Sequence, residues 1–110
     1  MSVSHELVQK HLDAIEAEMK KVGFWQNEAL EAEKYNFKTA FAADTMAFPQ
    51  WLQFIFIPRV RGILETKGVF PSSSMVGVKA VREFDAYSEA DSLTDLLCGF
   101  DRLFSERAFR

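Results

Sequence analysis

The sequence predicts an all-α fold, a four-helix bundle or array around a central, nearly all-apolar, Pro-kinked helix. Three observations carry this. Apolar residues recur at helical spacing near both ends of the chain. A stretch between them, from Pro49 to Lys67, is apolar around almost its whole circumference. No segment supplies a partner strand for the β-branched and aromatic run FIFI. At 110 residues the chain is one domain, 1–110, with room for a single core.

The first helix is expected from His5 to Val22. Val8, Leu12, Ile15, Met19 and Val22 fall on one stripe, Ser4 can cap its start, and Lys20, Lys21 and Gly23 mark its end. Phe24 and Trp25 follow the terminating glycine and should fold back over the edge of the core. The segment from Glu28 to Tyr35 has helix formers but only Leu30 as a large aliphatic. It reads as a long loop with one helical turn, pinned by Tyr35, Phe37 and Phe41.

In the central helix Pro49 suits the first turn, while Lys67 and Gly68 give a C-terminal signal. Pro58 lies inside it without the N–H that would reach the Phe54 carbonyl, so the helix should bend or break there. Turn chemistry at Pro71 and the three serines after it precedes a shorter helix from Met75 to Tyr87. Val78, Val81 and Phe84 step every three residues along it, and Gly77 weakens it. Asp91 or Ser92 then caps a fourth helix with the stripe Leu93, Leu96, Leu97, Phe100, Leu103 and Phe104.

Composition removes several function classes. The balance of 48% hydrophobic and 26% charged residues is that of a globular protein rather than a disordered one. The apolar run FIFI is far shorter than a membrane span needs. One cysteine, Cys98, cannot form an intrachain disulfide, and MSVSHELVQK lacks the plan of a signal peptide, so a reducing cytoplasm is the expected setting. A net charge of −3 argues against general phosphate-driven RNA or DNA binding.

That charge is unevenly placed. Residues 1–48 carry five Lys against eight acids, 49–82 carry five basic residues against Glu65 alone, and the remainder carries three against seven. The middle of the chain is therefore basic inside an acidic protein. Either Arg59, Arg61, Lys67, Lys79 and Arg82 face the acidic helices, or they form a patch for an acidic partner or an RNA backbone.

No chemistry-bearing motif stands out. His5 and His11 lie six apart, on opposite sides of the first helix, and cannot chelate a metal together. Nothing places a base beside Cys98, the glycines are scattered singly, and carboxylate pairs such as Glu16 and Glu18 lie on solvated faces. No catalytic, metal or cofactor residues are expected. Gln53 and Arg59, set among large apolar neighbours, must each be satisfied or emerge at a surface. Arg59 either pairs structurally, with Asp44 or with carbonyls near the kink, or lines a partner groove with Gln53. Eleven Phe, two Trp and two Tyr exceed what a core of this size readily hides, so some should surface beside arginine.

The run FAADTMAFPQWLQFIFIPRV, with FWQN at 24–27 and FDRLF at 100–104, resembles the YqcC-like family of small bacterial proteins over nearly the whole chain. The resemblance rests most on Asp44, Thr45, Met46, Trp51, Leu52, Gln53, Ile57, Pro58 and Arg59. It implies an all-helical bacterial cytoplasmic protein with no established catalytic residues. Because members are typically encoded beside a tRNA pseudouridine synthase, it also implies an accessory role in tRNA modification. The leading expectation is a non-enzymatic module that binds a protein partner, such as that synthase or its tRNA complex. The candidate surface is Asp44, Trp51, Gln53, Arg59 and Arg61. The alternative is a small apolar-ligand-binding domain whose pocket opens at Pro58 beside Trp51, Phe54 and Phe56.

Overall fold

Helix α1, His5–Lys21, starts where the Ser4 hydroxyl accepts the Leu7 N–H at 3.3 Å. It buries Val8, Leu12, Ile15 and Met19 completely. Its end is a Schellman turn: Gly23 takes φ +81°, Phe24 N–H donates to Met19 O at 2.9 Å and Gly23 N–H to Lys20 O at 3.3 Å. The computed structural model describes residues 4–71 and 73–108.

After α1 the chain runs through two 3-10 turns, Ala32–Tyr35 and Ala40–Ala42. Phe37 and Phe41 pack on the core from this segment, as expected of pins, whereas Tyr35 stays exposed. Phe41 and Ala42 hold left-handed backbone at φ 60° and 53°, an unfavourable conformation for residues with a Cβ. Asp44 ties the turn closed. Its carboxylate accepts from Lys38 N–H at 3.0 Å and from the Thr39 hydroxyl at 2.9 Å.

The central helical run spans residues 48–66 in three registers. Phe48–Trp51 (α2) is α-helical, Leu52–Phe56 is π-helical, and Ile57–Thr66 (α3) is α-helical again. Pro58 thus interrupts the α register without ending the helix. In the turn before it the Ile57 N–H reaches back five residues to Leu52 O, so the wider π turn absorbs the irregularity. Leu52, Gln53, Ile55, Phe56, Ile57 and Val60 are buried, as a helix apolar on all sides requires.

Helix α4, Val76–Glu83, is shorter than the Met75 to Tyr87 expectation, because Phe84 leaves helical geometry at φ −106°. Its inward face also differs. Val78 and Val81 point to solvent, while Val76, Gly77, Ala80 and Phe84 face the core. A 3-10 turn, Ser88–Ala90, leads into α5, Asp91–Ala108. Helix α5 packs against both α4 and α1, and α1 packs against α3, so the all-α architecture follows the sequence reading.

Most of the aromatic side chains pack in the interior, while Tyr35 and Tyr87 surface. Rings form one chain of contacts, Phe24 to Phe84, Phe48, Trp51, Phe56, Phe100, Phe104 and Phe70, ending on His5. Their centroids lie 4.8–6.0 Å apart, within the range in which aromatic pairs attract. His5 Nε2–H also donates to the Gly68 carbonyl at 3.2 Å, joining the start of α1 to the end of α3.

Candidate functional site

Of the five residues expected to form one surface, the fold brings Trp51 and Arg59 together on one pocket and sets Asp44, Gln53 and Arg61 elsewhere. Trp51, 7% exposed, sits inside the ring chain between Phe48 and Phe56. Gln53, 8% exposed, is a backbone clamp. Its Nε2 donates to Gln26 O at 2.8 Å and its Oε1 accepts Gln26 N–H at 3.0 Å, holding the FWQN segment against the central helix. Gln50 Nε2 adds a bond to Gln26 Oε1 at 3.2 Å. Gln53 is therefore not available to a partner, because both ends of its amide are already used.

Arg61 is likewise engaged. Its guanidinium lies 2.5 Å from Glu16 and 3.5 Å from Asp13 on α1, so of the five basic residues of the middle segment Arg61 is neutralised by an acidic helix, while Lys79 pairs with Glu83 of its own helix. Hydrogen bonds from Lys20 and Arg61 hold the Glu16 carboxyl below the usual carboxylate range. Asp44 is exposed and serves its own loop, and the Lys38 N–H lowers its pKa most. Arg59 remains exposed and forms no ion pair among the described residues, so the structural pairing with Asp44 does not occur.

Arg59 stands at the rim of an apolar pocket of about 210 Å³. Its apolar lining includes Trp51, Phe56, Val60, Ile63, Phe100 and Phe104, and Ser73, Ser74 and Met75 also border it. Phe54, expected to line such a pocket, does not; the cavity opens on the other side of the central helix, between α3 and α5. Met75 joins this rim to the outer face of α4, where Met75, Val78 and Val81 are 57%, 50% and 52% exposed. An exposed aliphatic cluster therefore lies on α4, and Trp51 of the central helix contributes no exposed aromatic surface.

The most constrained polar group is one the sequence did not mark. Asp101, 8% exposed, lies on α5 and caps α4 from outside it. Its carboxylate accepts from the Ser74 hydroxyl at 2.6 Å, Val76 N–H at 3.1 Å and Gly77 N–H at 2.8 Å. Met75, at the N-cap position, has no side-chain acceptor to offer. Burial raises the Asp101 pKa despite these bonds. Gly77 is needed for the approach: a Cβ there would lie 2.5 Å from Cys98 Cα and 2.9 Å from Asp101 Oδ2. Cys98 itself is half-buried, and desolvation lifts its thiol above its ordinary value.

Among the described residues, no group of three or more His, Cys, Asp and Glu side chains converges as a metal site would require. No described helix is long and apolar enough to cross a membrane.

The chain superimposes on the solution structure of protein YqcC from Escherichia coli with a TM-score of 0.82 and 26% identity, covering 94% of this chain and 90% of that one. The model of the DUF446 family, described as tRNA pseudouridine synthase C, matches residues 7–103. This chain belongs to the YqcC-like family. An uncharacterised protein of Haemophilus influenzae is 26% identical over 95 residues, covering 86% of this chain and 90% of its own. A protein of Pectobacterium carotovorum named tRNA pseudouridine synthase C is 35% identical over 66 residues. That match covers 60% of this chain but 18% of the longer protein, so a YqcC-like segment there is a minor part of a larger chain.

Proposed function

We propose that this protein is a non-enzymatic accessory module that docks on a tRNA pseudouridine synthase and supports tRNA modification in the cytoplasm. The observation that carries the reading is the similarity to a segment that makes up 18% of a chain bearing that enzyme's name. Two units joined in one polypeptide are held at high effective concentration, and a separate unit doing the same work must recognise its partner through a surface. The outer face of α4 suits that task. Met75, Val78 and Val81 give an exposed aliphatic stripe, and Arg82, next to Val81 on α4, adds exposed positive charge.

The experiment is affinity purification of the tagged protein from its native bacterium, with and without RNase, followed by mass spectrometry. The reading expects a pseudouridine synthase to be retained after RNase treatment and lost with Val78→Asp. Enrichment that RNase abolishes would mean that RNA, not protein contact, bridges the two.

A further inference from the structure

We propose that the pocket beside Arg59 is a binding site for a small monocarboxylic acid with an aromatic or branched aliphatic body. The size sets the body. An apolar cavity of about 150 Å³ holds one benzene molecule, and this one, at about 210 Å³, has room for a ring and one or two further heavy atoms. The walls are preformed. Trp51, Phe56, Phe100 and Phe104 are fixed against one another at centroid distances of 5.7, 5.1 and 5.2 Å, so little side-chain freedom is lost when a ligand enters. Phe41, held at φ 60° against Trp51 at 4.9 Å, forms one edge; strained backbone of this kind persists where the surrounding structure over-determines it.

The rim sets the head group. Arg59 is the sole charged residue of the lining, it is exposed, and it has no ion-pair partner among the described residues. Of the two serines on the lining, Ser74 has its hydroxyl proton committed to Asp101, which leaves Ser73 as a neutral hydroxyl beside the guanidinium. A planar guanidinium above an apolar cavity selects a carboxylate over an alcohol of the same shape and repels an ammonium. Zwitterionic amino acids are disfavoured for the same reason. The site shares Met75 with the docking face, while Val78 and Val81, which carry that reading, do not line it.

Phenylacetate, 2-phenylethanol and phenethylammonium share one body and differ in charge, and each is titrated while the methyl resonances of Val60, Ile63 and Val76 are followed by NMR. Phenylacetate should shift these methyls saturably and bind about five- to tenfold more tightly than the alcohol, with the ammonium weakest. Arg59→Gln, a change at an exposed position, should equalise acid and alcohol while leaving the alcohol's affinity unchanged. Ile63→Trp, checked for native helicity and melting, should block all three. Equal binding of acid and alcohol to the wild type, a preference that survives Arg59→Gln, or shifts that map elsewhere would overturn the proposal. N-acetyl-Phe-Asp-amide provides the remaining arm: if it binds more tightly than phenylacetate, the occupant is a segment of a protein and the small-acid assignment falls.

Discussion

Both polar ends of the Gln53 amide are bonded to the backbone of one residue, Gln26, at 2.8 and 3.0 Å. The central helix thereby holds the chain that leaves α1 by the same donor and acceptor pair a strand would present. Arg59, six residues further along, is exposed at a pocket rim. Two polar residues that look alike in sequence thus have opposite roles.

Their substitutions should separate accordingly. Gln53→Ala strands the Gln26 N–H and C=O in a partly buried setting and should cost about 2–4 kcal/mol. Arg59→Ala removes an exposed side chain without an ion-pair partner among the described residues and should change stability by less than about 0.5 kcal/mol. Urea unfolding of the two variants checks this, and equal losses would refute the division of roles.

Gly77→Ala should destabilise although alanine is the better helix former. The gain of about 1 kcal/mol in propensity is set against a Cβ placed 2.5 Å from the backbone of Cys98, which the flanking helices can relieve only by separating. Overpacking of this kind costs about 1–3 kcal/mol or more, so a net loss in melting temperature is expected. A variant as stable as the wild type would show that α4 and α5 are less tightly apposed.

Lys67→Gly should stabilise. Lys67 occupies the left-handed position at the end of α3, φ 54°, with Gly68 N–H donating to Ile63 O at 2.9 Å and Lys67 N–H to Leu64 O at 3.3 Å. Glycine there relieves the Cβ penalty of about 1 kcal/mol, partly offset by greater freedom of the unfolded chain. Thermal unfolding should show a rise of a few degrees, and a fall would contradict the turn geometry.

Stability should respond to acid through two carboxylates of opposite sign. Glu16 is held below its ordinary pKa by Lys20 and Arg61, so its contribution is complete above the unfolded glutamate pKa and lost as pH falls through the lower folded value. Asp101 is raised by burial, so its contribution is present below the unfolded aspartate pKa and lost as pH rises through the higher folded value. Urea titrations from acid to neutral pH should therefore show Glu16→Gln losing stability relative to wild type as pH rises. Asp101→Asn should have the opposite pH trend in its difference from wild type.

How much was legible in the sequence depended on whether a residue's neighbours were local. The stripe of α1 and its glycine stop are sets of contacts three to six residues apart, and periodicity displays them. A helix apolar on all sides carries no face to read, so the burial of Trp51 and Gln53 could be settled only by what packs around them. Pro58 in the sequence implies an irregular turn before it, but the π register of that turn is set by how the helix accommodates the missing N–H. In α4 the step of three through Val78, Val81 and Phe84 mixed two faces, because the short helix buries small residues, Gly77 and Ala80, instead of its valines. Asp101 left a usable signal. It falls four residues after Leu97 and three before Phe104, inside the apolar stripe of α5, while α4 begins at Met75 without a cap of its own.

The most direct test of the account is a calorimetric titration of the RNase-treated protein with the purified tRNA pseudouridine synthase of the same organism. A saturable one-to-one complex of about micromolar affinity is expected. Val78→Asp should weaken it at least tenfold, and Lys10→Glu on the opposite helix should leave it unchanged. No complex at concentrations well above that range, or one that Val78→Asp leaves intact, would contradict it.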